Sequence, residues 1–438
     1  MVVNYSGRPG TVPFLSTIEG WVRMTKGAYV VNEPRGAMCW FPNNNDPSDK
    51  ATYTFHITVP STHTALGNGE LASKVDNADG TTTWNWQMGL PMSSYLSTST
   101  VGRFDYAKSI STNALGASGN PLEIHNAFES ALPATQKTTA ANTAARQDKI
   151  IQFISNEIGV PYPFESHGVV LLRSSVGYEL EVQTKPHFPD LPIDPAVLAH
   201  EIAHQWFGDS VGPATWREVW FNEGWATWWT WYWVNKQNGN STTVERRFTL
   251  NYTPEKPWNI APANLVNASQ MFGEFQSYVR PAIMLEAYRQ VVGHATFVAF
   301  QRALLTEYAY SSISTEQFIA LARRLAQERS GFPVSYLSRL DEFFQQWLYG
   351  RTRPSLTPAT FFQELDPQLA IRTTNASAQL QISWRTNNAP FFLEQADELN
   401  GDHLTWTRVA AHPVFNNGSA RVTLARPPGN RFYRLQKE

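Results

Sequence analysis

Apolar and polar residues alternate along Tyr53–Val59, the two-residue period of a half-buried strand, and Pro60 closes the run. Thr81–Trp86 alternates the same way after the turn-prone stretch Asn77–Gly80. Residues 1 to about 105 therefore read as β. From 106 the texture turns mixed and then helical. Ala140–Ile158 begins rich in alanine and continues with apolar residues at helical spacing, whereas His167–Leu172 and Gly177–Gln183 read as two short strands. Asp194 and Pro195 suit an N-cap and a first helical position, because Asp accepts a free N–H and Pro lacks one. Gly208 supplies the stop. A second helix is expected from about Asn222 to Asn235, ending near Gly239, with further helical patterns at 280–290, 295–308, 315–329 and 335–349. Two prolines in Arg351–Pro358 mark a linker.

Beyond residue 370 the period of two returns. Gln379–Trp384, Phe391–Gln395, Thr405–Val409, Ala420–Leu424 and Phe432–Leu435 are short strand-like runs. Turn signals at Asn387-Asn388, Asn400-Gly401, Asn416-Asn417-Gly418 and Pro427-Pro428-Gly429 separate them, the spacing of a small antiparallel sandwich. The expected fold class is α+β. An N-terminal β-sheet domain (1–105) precedes a mixed, then helical domain (106–352) and a C-terminal β-sandwich-like domain (359–438).

Composition narrows the function. With 438 residues the chain is long enough for two to four domains. Lys+Arg is 35 and Asp+Glu is 37, a net charge of −2, which argues against nucleic-acid binding and against a polybasic membrane surface. A single cysteine, Cys39, excludes an internal disulfide framework and any cysteine-based metal site. No apolar run is long enough to span a membrane, and the first residues lack a signal-peptide pattern. Eight of the 16 tryptophans fall between Trp206 and Trp233. Trp225, Trp228, Trp229 and Tyr232 follow helical spacing, and Trp231 and Trp233 fill the other side. Such an all-round apolar helix is buried, so most of these rings read as core rather than substrate contacts.

The chemistry concentrates nearby. His200-Glu201-x-x-His204 puts two imidazoles four residues apart, on one helix face, where both can reach one zinc ion. Glu201 points beside the ligands, where a general base for a metal-bound water would sit. Catalytic zinc usually takes three protein ligands, and Glu223 follows His204 after 18 residues, on the next helix, which can return antiparallel. The bland alternatives are two surface histidines and an acid favoured by a helix dipole.

These residues resemble those of the gluzincin zinc aminopeptidases related to aminopeptidase N and leukotriene-A hydrolase. The likeness rests on the His-Glu-x-x-His pattern with its distant Glu, on Phe221–Ala226 and on His204–Asp209. Trp40–Pro42 and Asp49–Ala51 extend it into the N-terminal sheet. The resemblance implies a β-domain packed on a thermolysin-like catalytic domain, here with an N-terminal domain that starts part-way in.

It also implies one Zn²⁺ held by His200, His204 and Glu223, with Glu201 as general base and Tyr278 stabilising the oxyanion. Pro281 stands where the family usually has Gly. For the substrate's α-ammonium the family supplies a Glu from an edge strand, which points to Glu181, with Glu179 on the same face able to share or contest the role. Glu33 is a further amine-binding candidate, and Gly177 and Tyr178 are expected to shape the substrate-binding strand. The implied activity is removal of N-terminal residues from peptide substrates. The alternatives are a zinc endopeptidase without amine selection, or a non-catalytic binding module that keeps the fold. Low charge and a C-terminal module similar to those of secreted bacterial proteins point to a secreted or periplasmic home. Oligomeric state, preferred residue and physiological substrate are left open.

Overall fold

The structure is a computed structural model that describes residues 2–174, 176–189, 192–238, 243–362, 369–373, 379–385, 391–398, 405–416 and 419–437. The expected stops and turns at Gly239, Asn387-Asn388, Asn400-Gly401 and Asn417-Gly418 lie outside these residues. The chain divides into two compact units: Met1–Ala322 with Phe344–Pro354, and Arg323–Phe343 with Ser355–Glu438.

The first unit opens with β1 (Thr11–Phe14), β2 (Thr17–Met24), β3 (Gly27–Val31), β4 (Lys50–Pro60), β5 (Thr64–Gly67), β6 (Glu70–Asp76), β7 (Thr81–Ser93) and β8 (Ser99–Gly102). One sheet has the order β1-β2-β3-β8-β5 and another β4-β7-β6. The alternation in the sequence sets the faces. Along β7, Thr82, Trp84, Trp86 and Met88 are buried while their neighbours reach towards solvent. Trp86 is fully buried and donates its indole N–H to Ala65 O at 2.9 Å.

A third sheet joins this β region to the helices. The hairpin of β9 (Phe104–Leu115) and β10 (Pro121–Glu129) continues the β texture past residue 105. The helical stretch then breaks into α1 (Ala134–Ala144) and α2 (Gln147–Ile158) rather than running unbroken. The strand expected at His167–Leu172 is two short pieces, β11 (Ser166–His167) and β12 (Val170–Leu171), both parallel to β10. Gly168 lies between them, where an added Cβ would sit 1.9 Å from His125 O, so only glycine lets the chain hug β10 there. The strand expected at Gly177–Gln183 is absent. Only Leu180 bridges to His187, at the start of β13 (His187–Phe188). Gly177 and Thr184 both take positive φ, which turns the chain out of a ladder.

The helical layer comprises α3 (Pro195–His204), α4 (Trp220–Asn238), α5 (Val244–Asn251), α6 (Arg280–Val292), α7 (His294–Glu307) and α8 (Thr315–Ser330). The expected helix at 335–349 is α9 (Val334–Phe344) followed by a π-helical segment, Gln345–Tyr349. A second π-helical segment, Glu274–Val279, leads into α6. Most tryptophans of α4 are core: Trp225, Trp228 and Trp229 are at most 1% exposed, while Trp231 is only half-buried. Trp225 stacks on Phe207, and the Trp228 and Trp229 indoles donate to Glu286 and Gln301.

The second unit carries two antiparallel sheets. One has the order Ala370–Thr373, Gln379–Arg385, Ser419–Ala425, Val414–Asn416; the other has Thr407–Arg408, Phe391–Ala396, Phe432–Lys437. Ile382, Trp384, Leu393, Ala420 and Val422 form their common core. No helix among the described residues is long and apolar enough to cross a membrane.

Behind the β region lies a buried polar cluster. His167 pairs with Tyr162 OH at 2.8 Å, His125 with Tyr106 OH at 2.7 Å and His187 with Thr100 Oγ1 at 2.7 Å. Lys185 donates to Gly69 O and lies over the Trp86 ring. Burial, reinforced by Lys185, holds His167 down at about 3 and His125 at about 2; burial alone leads for His187, at about 4. Each folded value lies below the unfolded value of about 6.5. The stability these three histidines contribute is therefore complete above about pH 6.5 and lost as pH falls toward the folded values. The unfolding temperature is expected to drop steeply from pH 6.5 to 4. A His167→Phe protein, which keeps a ring without a basic nitrogen, should drop less over the same range in a calorimetric series.

Candidate active site and metal centre

Asp194 caps α3 by accepting from Ala196 N at 2.7 Å, and Pro195 opens the helix. His200 and His204 then lie one turn apart with ring centroids 4.7 Å from each other. Glu223, in the first turn of α4, reaches both. Its Oε2 is 3.2 Å from His200 Nε2 and 3.5 Å from His204 Nε2. The three side chains form the group of potential ligand atoms within 4.8 Å of one another.

Whether zinc fits can be judged from those spacings. Bonds of 2.0–2.2 Å in a tetrahedron put neighbouring ligand atoms about 3.3–3.5 Å apart. The two edges from Glu223, 3.2 and 3.5 Å, lie at or just below that length, so the donor set suits zinc in atom type and in these two spacings. The far nitrogens are also engaged. His204 Nδ1 lies 3.2 Å from Phe207 O and His200 Nδ1 3.5 Å from Thr230 Oγ1. A proton on Nδ1 leaves Nε2 free for a metal.

The electrostatics call for a cation. Burial would lower the pKa of His204, but Glu181 and Glu223 push it up to about 10. Burial would raise that of Glu223, but His204 and the hydrogen bond from His200 hold it down at about 2. Positive charge is thus stabilised at His204 beside Glu223, while burial holds His200 below its ordinary value, toward the neutral imidazole a metal binds.

The other singled-out residues line the same cleft, a cavity of about 600 Å³. Glu201 is buried in it, its carboxyl pushed well above the ordinary range by burial, against His204, and by Glu181. Tyr278, carried by the π-helical segment, lies with its ring roughly parallel to that of His200 at 6.2 Å. Such single-turn π-segments often occur at functional sites. Glu33 and Glu181 each keep a buried Oε1 with no hydrogen-bond partner among the described residues. Glu179 and Gly177 also line the cleft. Tyr178 does too, but its hydroxyl is committed to Ile18 O at 3.0 Å. Glu179 and Glu181 do not share a strand face, because this stretch is not a strand.

A side-chain clamp replaces that ladder. Gln205 donates from Nε2 to Glu181 O at 2.9 Å and accepts from Thr184 N at 2.8 Å and Tyr162 OH at 3.0 Å. Asn68 donates to Gln183 O at 2.7 Å. The acid-bearing segment is thereby tied to the residue that follows His204. Lys50 is tied there as well, donating to Asp209 O at 2.7 Å and Ser210 O at 3.0 Å. Sequence reasoning missed the clamp; a polar Gln205 beside His204, amid the apolar Ile202–Phe207 stretch, was its one signal. It also missed Phe14, Leu15 and Phe272, which line the cleft from distant parts of the chain.

Arg280 fixes the end of the Tyr278 segment. All five of its N–H groups donate to backbone carbonyls: Trp258, Ile260, Gln346, Trp347 and Gly350. Pro281, the departure noted in the sequence, packs against Gly224. An added Cβ on Gly224 would lie 2.4 Å from Pro281 Cβ. Glycine next to Glu223 is what lets α4 and α6 approach.

With this geometry in view, comparison with known proteins is specific. Residues 194–347 match the Peptidase family M1 domain and residues 28–96 the Peptidase M1 N-terminal domain. The chain belongs to peptidase family M1. It is similar to glutamyl aminopeptidase of Bitis rhinoceros, with 24% identity over 93% of this chain and 42% of that protein. It is also similar to human (Homo sapiens) glutamyl aminopeptidase, with 29% identity over 47% of this chain and 22% of that protein. The chain thus spans less than half the length of these relatives. The M1 zinc metallopeptidase of Deinococcus radiodurans has a similar structure: TM-score 0.68, 25% identity, 80% of this chain and 76% of that one. A variant of that enzyme has been solved with a Tyr-Ser-Ala substrate.

Replacing Gly224 with Ala should cost about 1–3 kcal/mol by overpacking and weaken zinc binding through Glu223. Adding Pro281→Gly should recover part of both losses, read by thermal unfolding and by zinc competition with a chromogenic chelator.

Proposed function

We propose that this chain is a zinc aminopeptidase that removes N-terminal residues from peptides. The observation that carries the proposal is the convergence of Glu223 on both His200 and His204, at 3.2 and 3.5 Å, with Glu201 and Tyr278 on the same cleft. These three would hold one Zn²⁺. Bound there, zinc would polarise the scissile carbonyl and bring the acidity of water near neutral pH. Glu201 accepts the proton of the attacking water and passes it to the leaving amine. Its raised proton affinity suits a group that must both take and give a proton. Tyr278 stays an O–H donor at neutral pH, because burial and then Glu223 and Glu33 push it well above the phenol range. Its hydroxyl donates to the oxygen on which charge develops.

Glu33 and Glu181 receive the substrate's α-ammonium. Their unpartnered oxygens favour the exopeptidase over the endopeptidase reading, since a buried acceptor without a donor is costly until an N–H arrives. Gly177 and Glu179 border this end, and Gln205 holds Glu181 in register with the zinc helix. The three-part division at 1–105, 106–352 and 359–438 belongs to this reading, as does an extracytoplasmic home.

Glu201→Gln is expected to lower kcat about 10³-fold with zinc content unchanged, measured with an aminoacyl chromogenic substrate and metal analysis. Glu181→Gln should instead raise KM at least tenfold. N-acetylated peptides cut as fast as free ones would exclude amine recognition and leave an endopeptidase.

A further inference from the structure

The aminopeptidase reading leaves open which N-terminal residue is accepted. The cleft wall bears on this. Beyond the ligands and acids its surface is largely apolar: Phe14, Leu15, Val176, Val197 and Phe272 line it. Phe14 and Phe272 meet edge to face at 5.9 Å, and Phe14 rests on Val219, Leu265 and Met271. This is a rigid aromatic wall. Leu15, in the β1–β2 turn, is 51% exposed and borders the same cleft. The hairpin is tied down beside it, with Thr17 Oγ1 donating to Val176 O and Tyr178 OH to Ile18 O.

Apart from the histidines of the candidate metal centre, the ionisable side chains lining the cleft are all acids. Glu33, Glu179, Glu181, Glu201 and Glu223 all face it, and among the described residues lining it there is no lysine or arginine. One guanidinium comes close: Arg35 lies 5.2 Å over the Phe14 ring. It is already committed, to Glu19 Oε1 at 2.8 Å and to Pro13 O at 3.0 Å.

We infer that the subsite for the first residue takes a large uncharged side chain, aliphatic or aromatic, and rejects an acidic one. This rests on the aminopeptidase reading of the same cleft. An apolar side chain gains by leaving water against Phe14, Leu15 and Phe272. A carboxylate there loses hydration, finds no lysine or arginine among the described lining residues and meets the cleft's acids, a built-in discrimination against it.

The test is a panel of aminoacyl p-nitroanilides on the zinc-loaded protein. Leucyl and phenylalanyl substrates should exceed glutamyl and aspartyl ones in kcat/KM by at least 100-fold. Leu15→Arg, which adds a cation at the cleft border, should raise the glutamyl-to-leucyl ratio about tenfold. Binding of leucine amide and glutamic acid amide to Glu201→Gln, followed by calorimetry, gives the order without turnover, and leucine amide should bind tighter. Glutamyl or arginyl substrates equal to or faster than leucyl, or a ratio unmoved in Leu15→Arg, overturn the inference while the aminopeptidase reading stands. If a chelator leaves every rate unchanged, or no substrate is turned over, the aminopeptidase reading itself fails and this inference falls with it.

Discussion

The structure depends on one demand: the carboxylate of Glu223, removed from water between two imidazoles, must find positive charge beside it. His204 and Glu223 are almost fully buried, and the edges from Glu223 to His204 and to His200 are close to those of a tetrahedral site. Isolated buried charges are costly, so such a group is stable only when it is paired or coordinates a metal. Around this centre stand further acids whose proton affinities rise for want of solvent and through mutual repulsion. The zinc proposed here answers both problems, neutralising Glu223 and lowering the field felt by Glu201 and Glu181.

Holding these groups at fixed distances is the work of the scaffold. The ligands sit on two short stretches of helix, and the tryptophans of α4 form the wall that keeps α3 and α4 in register. Phe207, three residues beyond His204, stacks on Trp225, two residues beyond Glu223, at 4.6 Å. Gly224 allows α6 close to α4, and Arg280 secures the segment that carries Tyr278 through five carbonyls at once. Gln205 and Lys50 join the β region and the acid-bearing segment to the residues just after His204. The metal helix is thus a hub, so substitutions remote from zinc can move ligands or acids.

Much of this was legible in the chain because it is local. Residues four apart on a helix share a face, so the His200–His204 pair and its N-cap follow from spacing alone. The strands at Tyr53 and Thr81 follow from alternation, and the burial of the tryptophan helix from its all-round apolarity. What failed was non-local. Gly177–Gln183 has strand-like composition, yet its backbone groups are claimed by side chains of Gln205 and Asn68, and its ends turn at positive φ. No periodicity encodes such a partner. Likewise Phe14, Leu15 and Phe272 reach the cleft only through the packing of a remote hairpin and loop, and the π-helical segment before α6 gave no signal in the pattern.

The central claim is that His200, His204 and Glu223 hold a single zinc ion. Its most direct test is X-ray absorption at the zinc edge on the purified, zinc-loaded protein. One zinc per chain is expected, with two imidazole nitrogens and light oxygen ligands at about 2.0–2.2 Å in four- to five-fold coordination. A spectrum with a single imidazole, a six-oxygen shell or no stoichiometric zinc would contradict it.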